Sequence, residues 1–202
     1  MQTYYWITLV STLLAYCVGS LSSAVITCKI MGLPDPRSQG SGNPGATNVL
    51  RFGGKKAAII TLACDVLKGM LPVIIAKFFG LAPFTLACIA FAAFLGHLYP
   101  VFFKFKGGKG VATAFGCLVA LSWPLGLSIL ATWIVMTILF RYSSLSALIA
   151  ALVTPLFAWY FTNVYYTIIA SMMSALLIYR HKRNIQNLLQ GKEDKVGTKK
   201  KV

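Results

Sequence analysis

The sequence predicts an all-α integral membrane fold of seven transmembrane helices, with the N-terminus outside and the C-terminus cytoplasmic, and three observations lead there. Of the 202 residues, 57% are hydrophobic and only 11% charged, with a mean hydropathy of +0.74, which no ordinary soluble domain shows. Seven apolar runs follow one another, each crossing or largely crossing a bilayer. With seven spans and the N-terminus outside, 17 of the 19 Lys and Arg fall at cytoplasmic junctions or in the tail, as the positive-inside rule asks. Residues 1–190 then form one helical membrane domain, and 191–202 a basic tail expected to be disordered or to lie on anionic lipid.

The first run, 4–28, has no basic segment before it, so it reads as a span and not as a cleaved signal peptide. The second, 57–79, carries Asp65 and Lys68 three residues apart. Charges at that depth are costly, and they are expected to pair internally and fix helix packing. The third, 83–103, includes His97, expected as a satisfied polar packing residue. The fourth, 111–122, is too short to span at a rise of about 1.5 Å per residue unless the glycine-rich segment before it enters the membrane as well. Runs 124–140, 145–161 and 164–179 complete the set. A five-span arrangement, with the short runs in the interface, also fits. Five cysteines show no paired spacing, and they read as small core or lipid-facing residues.

The formal charge of +15 has two readings, membrane orientation and anion binding, and the polar segments sharpen the second. GSGNPGATN, residues 40–48, joins two apolar runs. Asn43 before Pro44 looks like a helix start, and a short helix from there is expected to end at Gly53-Gly54. Gly40 and Gly42 let backbone N–H groups approach an anion at that helix N-terminus, Ser41 adds a hydroxyl, and Arg51 a forked donor. A flexible turn explains the same composition, and the two readings stand even.

KFKGGKG places Gly107, Gly108 and Lys109 before a helical run. It does not match the nucleotide-binding P-loop, yet glycine-exposed donors and a lysine at a helix start suit a phosphate. Positive-inside anchoring accounts for the lysines and leaves the glycines unexplained. In RHKRN, His181 and Asn184 stand three apart at the end of the last run, and would share a helix face. Ser144, after Arg141 and Tyr142, reads first as a helix cap and second as a site donor.

Absences narrow the chemistry further. Neither histidine is followed by Asp at the fifth position, where Phe102 and Gln186 stand, so there is no H-x4-D acyltransferase motif. Two body carboxylates are too few to hold Mg²⁺ well. No metal, cofactor or nucleic-acid partner is expected. The remaining pattern is acid-poor and rich in anion donors, suited to substrates that bring their own negative charge.

With GSGNPGATN, GHLYPVFFKFKGGKGVATA and RHKRNIQNL in order, the chain closely resembles the bacterial acyl-phosphate:glycerol-3-phosphate acyltransferase family over nearly its whole length. The resemblance implies seven helices in the bacterial cytoplasmic (inner) membrane around a cytoplasm-facing site. It also implies transfer of a fatty acyl group from acyl phosphate to the sn-1 hydroxyl of glycerol 3-phosphate, giving lysophosphatidic acid for phospholipid biosynthesis. The partners it implies are these two substrates and membrane lipids. Carried over by motif position, Ser41, Lys109, His181 and Asn184 would be catalytic, and Arg51, Asn43, Gly107, Gly108 and Ser144 substrate-binding. One departure is that Lys182 and Arg183, between His181 and Asn184, are both basic where relatives often carry a carboxylate. Acyl phosphate is already activated, so the protein need only align two anions and stabilise developing charge. Either His181 or a substrate phosphate can take the hydroxyl proton. A transporter of a phosphorylated metabolite would use similar loops at a midplane site. A lipid-binding scaffold would have no use for His181 or Asn184.

Overall fold

The computed structural model describes residues 2–196, and the helices and one 3-10 turn found among them leave no strand. The chain divides into two compact units, Met1–Leu121 and Ser122–Val202. The first contains α1 (Gln2–Gly19), α2 (Ser23–Ile30), α3 (Ala46–Phe78), α4 (Pro83–Leu98), the 3-10 turn Val101–Phe103 and α5 (Val111–Leu121). The second contains α6 (Trp123–Phe140), α7 (Ser143–Phe161), α8 (Val164–Arg180) and α9 (Lys182–Leu189). Four helical segments are long and apolar enough to cross a membrane by themselves, and α1 with α2, bent by 43°, makes a fifth. α5 and α8 are shorter apolar helices.

In the first unit α1 packs on α4 and α3 on α5, and glycine makes both contacts close. A Cβ built on Gly19 would overlap the backbone of Ala93, and one on Gly96 the backbone of α1 at Tyr16 and Ser20. Gly69 and Gly116 do the same between α3 and α5, facing the Thr113 and Val66 carbonyls. Without water to drive helices together, such small-residue contacts supply the association through dispersion. In the second unit α7 packs against both α6 and α8.

Several expectations meet the coordinates directly. The short helix before Gly53-Gly54 is present, since Gly54 (φ 80°, ψ 177°) breaks α3 there. Its start differs from the Asn43-Pro44 reading: the helix begins at Ala46, with Gly45 extended before it. Asp65 and Lys68 form the expected buried pair, Nζ to Oδ1 2.8 Å. The first apolar run is not one straight helix. It breaks at Ser20–Ser22, and the carbonyl of Leu21 freed by the break accepts a hydrogen bond from Lys68 Nζ at 2.8 Å, so the group is satisfied within the protein as a low-dielectric setting demands. All five cysteines are free, with Cys28 and Cys117 buried.

The first residues of the expected tail make hydrogen bonds within the second unit. Glu193 accepts hydrogen bonds from Ser144, Asn184 and Asn187, and the Val196 N–H donates to the Arg141 carbonyl at 2.7 Å. The rest of the expected tail, 197–202, lies outside the described residues.

Candidate active site

The loop before α3 is organised by one side chain. Asn48, in the first turn of α3 and 2% exposed, accepts from the Ser41 N–H at 2.9 Å and donates to the Pro36 and Gln39 carbonyls, each at 2.9 Å. All three of these backbone partners lie seven to twelve residues back along the chain. Gly40 (φ 55°) and Gly42 (φ 71°) take left-handed turns that other residues adopt reluctantly, and a Cβ at Gly40 would overlap the Asn48 amide oxygen. Ser41 and Asn43 are half-buried in this loop, while Arg51 is exposed on α3. Before the loop, Arg37 forks onto Asp35, with Nη2–Oδ2 2.6 Å; the guanidinium holds the Asp35 carboxyl below its usual range.

The second loop is set on His97, whose carbonyl accepts the Gly108 N–H at 3.2 Å. A Cβ on Gly107 would overlap that carbonyl, and one on Gly108 would overlap the imidazole at Nε2. Lys104 and Phe105 turn left-handed at φ 55° and 57°, and Gly110 at φ 91° presses against the Phe94 ring. The half-buried Lys109 therefore stands just ahead of α5, where the helix N-terminus favours negative charge.

In the second unit Ser144 Oγ donates to Glu193 Oε1 at 2.6 Å. It is not the cap of α7, a position held by Tyr142 without a side-chain bond. Asn184 Nδ2 donates to the same Oε1 at 2.7 Å, and Asn187 Nδ2 reaches Oε2 at 3.3 Å. The structure thus brings Ser144 and Asn184 together on one carboxylate. His181 is buried at 2% exposure, with Nδ1 2.8 Å from the Leu177 carbonyl. The helix does not run through it: His181 (φ −92°, ψ 7°) separates α8 from α9, so the shared helix face expected for His181 and Asn184 does not exist as such. A ring nitrogen that donates to a helix carbonyl leaves the other as an acceptor.

Three residues of these surroundings escaped the sequence reading as contributors to the site: Asn48, His97 and Glu193. Asn48 lies within GSGNPGATN, and its membership of that stretch is the one signal the sequence offers. Glu193 stands in a charged stretch whose composition points the other way, and His97 was read as packing alone.

Comparison with known proteins identifies the family of the chain. The family model described as glycerol-3-phosphate acyltransferase matches residues 9–191. A glycerol-3-phosphate acyltransferase of Methylococcus capsulatus is 57% identical over 187 residues, covering 92% of this chain and 94% of its own. One of Shewanella loihica is 53% identical over 196 residues, covering 97% and 96%. Among solved structures, PlsY, an integral membrane glycerol 3-phosphate acyltransferase in its glycerol 3-phosphate form, superposes with a TM-score of 0.89 at 41% identity, covering 95% of this chain and 96% of that one. Its lysophosphatidic acid form gives 0.86 at 40% over the same shares. On these sequence matches and this all-helical fold, the chain is an integral membrane protein that belongs to the glycerol-3-phosphate acyltransferase family.

Proposed function

We propose that the protein transfers a fatty acyl group from acyl phosphate to the sn-1 hydroxyl of glycerol 3-phosphate, yielding 1-acyl-glycerol 3-phosphate and inorganic phosphate for phospholipid biosynthesis. The observation that carries the acceptor is the 41% identity, over 95% of the chain, to PlsY in its glycerol 3-phosphate form. For the donor, the support is chemical: the two loops offer backbone N–H groups, a serine and a lysine to anions, and an activated mixed anhydride needs no covalent enzyme intermediate.

The hydroxyl oxygen attacks the acyl carbon, the bond from that carbon to the phosphate oxygen breaks, and the electron pair leaves with phosphate. The hydroxyl proton goes to His181 or to a substrate phosphate. Ser41, Lys109 and Asn184 serve the transfer step by donating to the developing negative charge, and His181 by the acceptor nitrogen that its bond to the Leu177 carbonyl leaves; Arg51, Asn43, Gly107, Gly108 and Ser144 hold phosphorylated substrate. Glu193, by accepting from both Ser144 and Asn184, fixes where these two side chains stand.

In the membrane, seven crossings are made by α1 with α2, then α3, α4, α5, α6, α7 and α8. α5, of 11 residues, crosses together with the glycine-rich loop before it. The N-terminus is outside and the loops and the C-terminus are cytoplasmic, an orientation supported by the placement of the basic residues; the membrane is the bacterial inner membrane, a location supported by the bacterial relatives. Residues 1–190 and the tail that follows act as one membrane domain with a cytoplasmic appendage.

Purified protein in detergent, given palmitoyl phosphate and glycerol 3-phosphate, is expected to form lysophosphatidic acid and release one phosphate per turnover. Product formed from acyl-CoA or acyl carrier protein, with none from palmitoyl phosphate, refutes the donor. Product from neither refutes the reaction.

A further inference from the structure

Asp65, Lys68 and His97 have no role in the acyl-transfer step set out above, yet all three are ionisable and buried, at 3%, 6% and 6% exposure. Ionisable groups inside a membrane bundle are expensive, and where they persist they commonly serve a site. Asp65 and Lys68 pair on α3 at 2.8 Å, and Lys68 also holds the Leu21 carbonyl in the α1–α2 break. His97, in the last turn of α4, has Nδ1 3.4 Å from the same Asp65 Oδ1. Its other side carries the glycine-lysine loop, through the main chain at the Gly108 N–H and through the ring, which occupies the space a Cβ at Gly108 would need.

Gly108 is therefore demanded by the His97 ring, and Gly107 by the His97 and Leu98 carbonyls together with Pro100, and neither by its own backbone angles, since among Gly107, Gly108 and Gly110 only Gly110 has a positive φ. The Asp65 carboxylate lies 3.4 Å from Nδ1, in contact but without the alignment of a hydrogen bond, and bounds the position of the ring on that side. The ring in turn limits where the backbone of Gly108 can lie. Lys109 and the first turn of α5 follow directly.

We propose that His97 is a positioning residue of the phosphate-binding loop, held in place by the Asp65–Lys68 pair and setting through its ring and carbonyl the path of Gly107 and Gly108; this rests on reading that loop as phosphate-binding. A residue serving helix packing alone would alter stability and leave substrate affinity untouched.

The test is a double-variant cycle of Gly108→Ala and His97→Ala in the full-length protein, reading kcat and the KM of each substrate. Gly108→Ala alone pushes the loop off the ring and is expected to raise the KM of one phosphorylated substrate about tenfold. In the His97→Ala background the added methyl occupies vacated space, so the same change is expected to cost less than about twofold, a non-additivity that marks direct coupling. The cycle is read in parallel as the inorganic phosphate concentration that half-stabilises the folded protein against heat, a readout independent of turnover. Additive effects in both readouts, or a fall in kcat and thermal stability with unchanged KM values and phosphate response, overturn the proposal. Where His97→Ala does not fold, His97→Asn replaces it, since it keeps an N–H for Asp65 and vacates the Nε2 position; failure of that variant to fold assigns His97 to stability alone and also overturns it. An inactive wild-type protein refutes the acyl-transfer reading, whereas an active one with additive variants refutes only this inference.

Discussion

Asn48 shows how much of the first loop rests on one amide. Its side chain answers one N–H and two carbonyls while almost entirely removed from solvent. Asn48→Asp keeps the acceptor for Ser41 and loses both donors, leaving two carbonyls facing a carboxylate. A stability loss of about 1–3 kcal/mol is expected, seen as a lower unfolding midpoint in detergent, together with a loss of acyl transfer that Asn43→Ala does not reproduce in stability. An unchanged midpoint would show that the loop is held by other means. Glu193 has a comparable place in the second unit, where one carboxylate oxygen receives both Ser144 and Asn184. Glu193→Ala removes the acceptor of both, and misplaced donors in an active site cost about tenfold or more in kcat; steady-state rates at saturating substrates check it. Neither residue was legible as part of the site, for a common physical reason. Their partners are far along the chain, seven to twelve residues from Asn48 and 49 from Glu193 to Ser144, whereas motif reading weighs neighbours. Ser41 and Lys109 are candidates the sequence offers, because glycine spacing is local.

At the scale of elements, the apolar runs announced the helices well, and the Gly53-Gly54 break was visible because glycine pairs end helices by a local mechanism. The break in the first run was hidden, since residues 4–28 are apolar and serine interrupts them only mildly. What permits the break is Lys68, 47 residues away, donating to the Leu21 carbonyl. The stop at His181 was hidden likewise, and the unbroken basic run RHKR encouraged the assumption of one continuous helix. α5 illustrates how short elements are held. Gly116 lies against the Val66 carbonyl and Gly69 against the Thr113 carbonyl, Cys117 Sγ reaches the Gly69 carbonyl at 3.4 Å, and Lys77 Nζ donates to the Ala120 and Leu121 carbonyls at its far end. Backbone cannot yield as a flexible side chain does. Gly116→Ala is therefore expected to cost about 1–3 kcal/mol and to move α5 away from α3. Gly191→Ala, at a site with open space but φ 66°, should instead cost only about 1 kcal/mol of backbone strain. Thermal unfolding of the two variants side by side checks the ordering.

For the whole molecule, the decisive matter is how many times the chain crosses the bilayer. By length and apolarity alone there are at most five spans, whereas charge placement favours seven. The two counts differ only in whether α5 and α8 cross. At about 1.5 Å per residue, the 11 residues of α5 cover roughly half of a hydrocarbon core of about 30 Å, and the 17 residues of α8 most of it. Charge is the better guide here, because a lysine on the wrong side costs more than a thinned bilayer or a partly unwound entry. With Lys104, Lys106 and Lys109 preceding α5 and no basic residue between it and Arg141, a crossing α5 puts positions 106 and 123 on opposite sides. A crossing α8 does the same for 164 and 192. Single cysteines introduced as Lys106→Cys, Trp123→Cys, Val164→Cys and Lys192→Cys, in a background with the five native cysteines replaced, report this through a membrane-impermeant maleimide applied to intact cells and to inverted vesicles. Positions 123 and 164, where the native side chains are 70% and 63% exposed, are expected to react only from outside, and 106 and 192 only from the cytoplasm. If 106 and 123 react from the same side, α5 lies in the interface and the glycine-lysine loop is not carried in by a crossing helix. If 164 and 192 do so, the inward placement of RHKRN loses its basis, and with it the assignment of His181 and Asn184 to a cytoplasmic reaction.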